Sequence, residues 1–348
     1  MNNIDIKSLS LVELTKEMET IGQPGFRAKQ IYEWLHQKLA TSYDEMTNLS
    51  KDLRSKLERE YPLTRLYEVN SLKSSNDETI KYLFRLMDNR VIESVLMKYH
   101  YGNSVCISSQ VGCMMGCKFC ASTIGGKERD LLPSEMLEQI YRIQSLTGER
   151  VSRVVVMGTG EPFDNYDNLM KFLRILTDPL GLDISARNIT VSTCGIPDRI
   201  RAFADEEMPI TLALSLHAPN DEVRKKLMPV ALKYNLDEVM EAFKYYYHKT
   251  GRRLTFEYSL VEGINDEPVH AKELAILVKG LNCHINLIPV NPIKERDFQQ
   301  TKNDRILNFK NILEKNRINV TIRREMGADI NAACGQLRKS YIEVNSVN

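Results

Sequence analysis

Apolar residues recur at helical spacing near the start of the chain. SLVELTKEMETIG and GFRAKQIYEWLHQKL both show it, and Gly22, Pro24 and Gly25 break the pattern between them. Residues 1–75 are therefore expected to form a small helical accessory domain. The pattern then changes to strand. ETIKYLFRLM, a turn at Asp88-Asn89 and RVIESVLMKY predict a β-hairpin occupying residues 76–100 as a linker or extension.

Residues 101–348 alternate. SVCISSQ, RVVVMG, NITVST, ITLALSLH, RLTFEYSLV and HINLIPVN are strand-like, and VTIRRE closes the series. Helical segments lie between them: PSEMLEQIYRIQSLTG, DNLMKFLRILT and stretches near 197–204, 235–249, 268–280 and 303–316. Strands alternating with helices imply βαβ units and a parallel sheet. About six units are too few for a closed barrel of eight, so a partial barrel and an open doubly wound sheet both fit. In either, the chemistry collects at the C-terminal ends of the strands. Cys113 to Cys120, Gly158 to Glu161, Ser192, Ser215 to His217, and Asn291 fall there.

Composition narrows the function. The 348 residues suffice for one large and one small domain, and 43% apolar content supplies a full core. A net charge of +1 confines any basic footprint for nucleic acid to local patches. The N-terminus lacks the apolar run of a signal peptide, and no stretch approaches about 18 uncharged apolar residues. The expectation is a cytoplasmic protein without a membrane span. The seven cysteines are then expected to be ligands or catalysts rather than a disulfide framework.

Cys113, Cys117 and Cys120 form Cys-x-x-x-Cys-x-x-Cys directly after the first strand of the alternating series. Three thiolates this close can clamp three irons of a 4Fe–4S cube. The fourth iron is left open to an amine and a carboxylate, which the methionine part of S-adenosylmethionine (SAM) provides. The competing assignment is structural zinc with Cys106 as fourth thiolate, but the paired spacing usual for zinc is missing.

The cysteine motif, Phe119 between its last two ligands, and VVMGTGEP (155–162) resemble the radical SAM superfamily. The longer strings VCISSQVGCMMGCKFCAST, MGTGEPFDN, SLHAPND, LIPVNPI and DINAACGQL resemble the RlmN/Cfr-type radical SAM RNA methyltransferases over most of the chain. Ser122-Thr123 departs from the common Thr-Gly of that family. The resemblance implies a partial (β/α)6 radical SAM barrel with the helical domain in front. It implies a 4Fe–4S cluster on Cys113, Cys117 and Cys120, and a SAM site formed by Gly160, Glu161, Ser192, Ser215, Leu216, His217 and Asn291.

It also implies a use for two further cysteines. An adenine ring carbon is a poor nucleophile, whereas a thiolate is a strong one. By resemblance, Cys334 takes a methyl group from one SAM and a second SAM is cleaved to a deoxyadenosyl radical, so two are used per turnover. That radical removes hydrogen from the methyl-cysteine, whose thiomethylene radical adds to adenine. Glu93 accepts a proton, and Cys106 releases the adduct by a transient disulfide with Cys334. Cys194 and Cys283 are read as packing residues.

The expected substrates are 23S rRNA and tRNA, methylated at adenine carbon 2. A flavodoxin-type reductant and a monomeric state are expected with them. A Cfr-like carbon-8 enzyme is the near alternative, and Pro162 in Gly-Glu-Pro favours carbon 2. A zinc-containing RNA-binding protein and a radical SAM enzyme with an unrelated substrate are the others. Arg27, Lys29, Tyr32 and Trp34 are candidates for an RNA-contacting face, with Arg252-Arg253 and Arg323-Arg324 as further basic positions.

Overall fold

The computed structural model describes residues 4–291, 296–323, 326–330 and 341. Three helices open the chain: α1 (Leu11–Thr20), α2 (Phe26–His36) and α3 (Lys51–Glu60). α1 starts at Ser10, whose N–H donates to the Glu13 carboxylate at 2.9 Å while the Glu13 N–H donates back to Ser10 Oγ at 3.3 Å. Their inner faces bury Leu14, Met18, Ile31, Tyr32, Leu35, Leu53 and Leu57.

Strands β1 (Tyr67–Lys73), β2 (Ile80–Arg85) and β3 (Val91–Tyr99) follow as an antiparallel ladder. The helical expectation for the first 75 residues therefore stops short of β1, and the hairpin is a three-stranded extension. YEVNSLK gives little strand signal because no residue of β1 is fully buried, so burial does not force an apolar alternation.

β3 pairs antiparallel with β4 (Gly102–Ile107), where the alternating series begins. A ribbon of β5 (Gln110–Gly112) and β6 (Lys127–Asp130) brackets the cysteine loop. Then come α4 (Pro133–Thr147), β7 (Val151–Val156), α5 (Tyr166–Leu176), β8 (Ile189–Thr193), α6 (Pro197–Asp205) and β9 (Thr211–Ser215). They are followed by α7 (Asp221–Leu227), α8 (Leu236–Thr250), β10 (Leu254–Leu260), α9 (Pro268–Leu277), β11 (Cys283–Pro289), α10 (Asn303–Lys315) and β12 (Asn319–Ile322). The sheet order is β1-β2-β3-β4-β7-β8-β9-β10-β11-β12, parallel from β4 onward. β12 is the closing strand expected from VTIRRE and brings the parallel strands to seven. Among the described residues β1 and β12 do not pair with each other, so the barrel is partial and open.

The two faces of the parallel strands differ. Val154, Val156, Val191, Leu212, Leu214, Phe256, Tyr258, Ile285 and Leu287 pack into one core with the helices. Their alternates face the other way, where Ser192, Ser215, Glu257 and Ser259 border a cavity. The register sets Ser215 beside Glu257 and Glu257 beside Asn286, which places these polar groups on one concave face.

The helical module docks on α4 and α5. Lys7 Nζ meets Glu138 at 2.5 Å, both buried, and Lys171 meets Glu13 at 2.7 Å. His36 Nδ1 lies 2.8 Å from the Tyr141 hydroxyl in the same interface. On the far side of the sheet, Asp329 accepts from Ser74 Oγ at 2.7 Å and from the Ser75 N–H at 2.7 Å, and the Gly327 N–H donates to Asp77 at 3.0 Å. These bonds join the segment after β12 to the β1–β2 turn.

Candidate active site

The loop between β5 and β6 presents three cysteines to one cavity. It enters through Gly112 at φ +76°, where a Cβ would lie 2.0 Å from the Gly126 carbonyl oxygen, so only glycine fits. Cys113 N–H donates to that same carbonyl at 3.0 Å. Thr123 Oγ1 donates to the Cys117 and Cys120 carbonyls at 3.1 and 2.9 Å, and Ser122 Oγ lies 3.2 Å from Thr159 Oγ1. The departure Ser122-Thr123 thus supplies two hydroxyls that brace the loop. The Lys118 N–H donates to the Leu227 carbonyl at 2.9 Å and ties the loop to α7.

The cavity measures about 230 Å³ and is bordered by Cys113, Cys117, Cys120, Gly160, Glu161, Ser192, Ser215 and His217. Eight of the thirteen candidate residues therefore meet at the C-terminal ends of the strands. Burial pushes the Cys113 thiol up to about 12, helped by the nearby Cys120 and Glu161. Burial raises Cys117 as well, with Cys120 and Cys113 adding to it. Such thiols become thiolates when bound metal supplies the compensating charge.

Glu161 is fully buried after β7. Its carboxylate accepts from the Cys194 N–H at 2.7 Å and the Phe163 N–H at 3.0 Å. Burial raises its pKa, and those backbone N–H groups oppose the rise. Gly160 has φ +115°, and a Cβ there would come within 2.7 Å of both Gln110 Cβ and Ser109 Oγ. Ser192 and Ser215 stand side by side with hydroxyls 3.4 Å apart.

His217 is buried at φ +54° and its Nδ1 accepts from the Ser259 N–H at 2.9 Å. Burial, aided by Arg224, lowers its pKa to about 3, so the ring is neutral with its proton on Nε2. Its edge meets the Phe119 ring at a centroid distance of 4.7 Å. Leu216 faces the main core instead of the cavity, and its N–H donates to the Glu257 carbonyl at 3.0 Å. Asn291 is half-buried just past β11 and does not border the cavity.

Glu93 is not an outward strand carboxylate. It is buried on β3 and paired with Lys81 at 3.1 Å. Cys106 is buried with Val95 and Met97, against Met157, which itself borders the cavity. Cys334 and Arg324 lie outside the described residues. Cys283 packs in the main core and Cys194 in a smaller buried cluster with Leu227 and Met228, as expected, and Cys194 also borders the cavity. Tyr32 is fully buried and leaves the suggested RNA face, while Lys38 sits 3.8 Å above the Trp34 ring at its exposed edge.

Sequence reasoning passed over Glu257, Ser259 and Met157, which border the cavity, and named Arg323 only as a basic position for RNA, whereas it borders the cavity too. A signal was present. A parallel strand covered on both faces reads as a continuous apolar run, yet LTFEYSL alternates. The alternation marks a polar concave face.

Residues 107–275 match the radical SAM superfamily, and residues 4–62 match the ribosomal RNA large subunit methyltransferase N-terminal domain. The chain is 64% identical over 344 residues to a Lachnoclostridium phytofermentans protein named "Probable dual-specificity RNA methyltransferase RlmN", covering 99% of this chain and 97% of that one. A Thermoanaerobacter protein of the same name is 51% identical, with 97% and 99% covered. The chain belongs to the RlmN family of radical SAM methyltransferases. A crystal structure of a radical SAM methyltransferase from Sphaerobacter thermophilus superposes on it with TM-score 0.91 at 43% identity, covering 96% of this chain and 98% of that one.

An RlmN-type enzyme implies a 4Fe–4S cluster and SAM, and the cavity fits them. Among the described residues no three His, Cys, Asp or Glu side chains are grouped tightly enough to hold a single ion. The three thiols instead border one cavity, as ligands to separate irons of a cube do, and Cys106 packs in a different cluster. The non-enzyme alternative, a zinc-containing RNA-binding protein, is set aside by membership of this methyltransferase family. Among the described residues no helix is long and apolar enough to cross a membrane.

Proposed function

We propose that this enzyme methylates carbon 2 of an adenine in 23S rRNA and in tRNA. The observation that carries the reading is the position of Cys106, a buried thiol on β4 whose cluster packs against Met157, a residue that borders the cavity. Simple hydrogen abstraction needs no such thiol.

Cys113, Cys117 and Cys120 would hold the cluster, which when bound supplies one electron to the sulfonium bond of SAM. Glu161 and Gly160 bind the SAM amino group, and Ser192, Ser215 and His217 line its bed, while Leu216 and Asn291 stand outside the cavity. Two SAM molecules serve each turnover. Cys334 would accept the methyl group of one, and the other, when bound, would supply the radical chemistry that activates it. Glu93 takes the ring proton from the adduct on adenine. The radical adduct gives up one electron along with that proton, and the Cys106 thiolate then attacks the Cys334 sulfur. The sulfur–carbon bond breaks, the released carbon takes a proton from solvent to become the methyl group, and the Cys106–Cys334 disulfide is returned to thiols by an external dithiol reductant. An external one-electron donor of the flavodoxin type completes the cycle. The substrate class is supported by the names of the relatives and by the match over residues 4–62.

The test is incubation of anaerobically reconstituted enzyme with unmodified ribosomal RNA, reductant and SAM carrying a fully deuterated methyl group. A product co-eluting with 2-methyladenosine and retaining two methyl deuteriums is expected. An 8-methyl product moves the reading to Cfr-like chemistry. No methylated adenosine from cluster-loaded enzyme sinks the substrate assignment.

A further inference from the structure

Arg224, on α7, is one of the largest fully buried side chains, at 0% exposure. Its Nη2 donates to the Cys194 carbonyl at 2.5 Å and its Nε to the Leu216 carbonyl at 3.4 Å. Its Nη1 is buried with no hydrogen-bond partner among the described residues. Among those residues no carboxylate lies within ion-pair distance of it. A sealed guanidinium without a carboxylate is an expensive thing to keep unless another negative group lies close.

What surrounds it identifies that group. Cys194, Leu227 and Met228 form a small cluster against which Met115, Cys117 and Phe119 of the cysteine loop pack. Arg224 interacts electrostatically with Cys194, with Cys117 and, beyond ion-pair distance, with Asp221 one turn back on α7. The Lys118 N–H bond to the Leu227 carbonyl fixes the loop against this same helix. The neighbour of the guanidinium is therefore the Cys117 edge of the cysteine set.

We propose that Arg224 is a fixed counter-charge for the iron–sulfur cluster, with its unpartnered Nη1–H donating to sulfur at the Cys117 edge. The inference rests on the assignment of Cys113, Cys117 and Cys120 as cluster ligands. Reduction adds one electron, delivered by an external donor, and so one negative charge. A positive charge and a hydrogen bond to sulfur both favour the reduced form and raise the potential. Arg224 is thus a positioning residue that acts on the cluster rather than on SAM or RNA.

The experiment is an EPR-monitored redox titration, with dithionite as reductant, of reconstituted wild type, Arg224→Lys and Arg224→Gln, each assayed for iron and sulfide. Arg224→Lys should stay near the wild-type midpoint. Arg224→Gln should lower the reduced fraction at a fixed donor potential about tenfold, equivalent to about 59 mV for a one-electron couple. A fully loaded Arg224→Gln protein with an unshifted midpoint overturns the proposal and leaves Arg224 as a brace for the Cys194 carbonyl. Wild type that takes up no iron instead overturns the cluster assignment. Where Arg224→Gln takes up no cluster, ENDOR of the reduced wild type labelled with ¹⁵N-arginine decides. A guanidinium ¹⁵N coupling that survives Arg323→Lys supports the proposal, and its absence overturns it.

Discussion

Lys81 Nζ and the Glu93 carboxylate lie 3.1 Å apart on neighbouring strands, with side chains 0% and 3% exposed. Lys81 sits opposite Val95, and Val95 sits opposite Cys106, so Lys81 and the thiol share one row of the sheet, with Glu93 two residues from Val95 along β3. Removing one member of a buried ion pair costs about 3–5 kcal/mol. Lys81→Met is expected to lose that much stability in urea unfolding. Lys81→Met/Glu93→Leu should recover most of it. If Glu93 is the base, the double variant still loses about 10²- to 10⁴-fold in single-turnover methyl transfer. Near-normal product formation by the double variant would remove Glu93 from the chemistry.

Gly160→Ala tests the backbone beneath the SAM site. Its φ of +115° suits glycine alone, and the added methyl meets Gln110 and Ser109 at 2.7 Å. A loss of about 1–3 kcal/mol is expected by thermal unfolding. Calorimetric SAM binding should weaken together with it. Unchanged SAM affinity would show that this turn does not shape the site.

The buried His36 makes stability depend on pH. Burial, with help from Lys7, holds its folded pKa at about 3, against an ordinary value of 6.5. The unfolded chain takes up this proton first as pH falls. The contribution is therefore complete above about pH 6.5 and declines steadily as pH drops toward 3. At about pH 5.5 the wild type should have lost roughly 1.4 kcal/mol through this residue. His36→Phe should show a correspondingly smaller loss between about pH 7.5 and 5.5 in urea titrations. Equal losses in both proteins would contradict the assignment.

Asp329 is held at about 2, chiefly by Ser74 Oγ and then by the Ser75 N–H. Its folded pKa is lower than the ordinary 3.8, so its contacts are intact above that value and are lost as pH falls through about 2. Asp329→Asn is expected to speed amide exchange at Ser75 and Gly327 by about tenfold or more. Methyl transfer should fall with it, since Cys334 follows only five residues later. Unchanged exchange would mean that other contacts hold this segment.

Much of the architecture was legible because periodicity and punctuation agreed. Pro133 and Gly148 bracket α4 as the sequence indicates, with Gly148 in the left-handed conformation. Six strands of the alternating series appear where their apolar runs lie. β1 was hidden because its exposed faces impose no alternation. The cysteine motif and Gly160-Glu161 were legible because ligand spacing and a strand-end glycine are local properties. Arg224 and Glu257 were not. One is a single charge on a short helix and the other a carboxylate inside a strand, and their meaning comes only from what the fold wraps around them. Glu93 was named, but its partner Lys81 sits twelve residues away, and nothing in the spacing links the two.

The two ends of the sheet meet through Asp329, Ser74, Ser75, Gly327 and Asp77 rather than through a strand ladder. A ladder opens only by unzipping along its length, whereas a few hydrogen bonds centred on two carboxylates can let go together and re-form without disturbing any strand. The barrel is a cuff fastened with a buckle. The fastening can be undone by a few side-chain substitutions, while the parallel ladder that carries the cysteine loop stays in register.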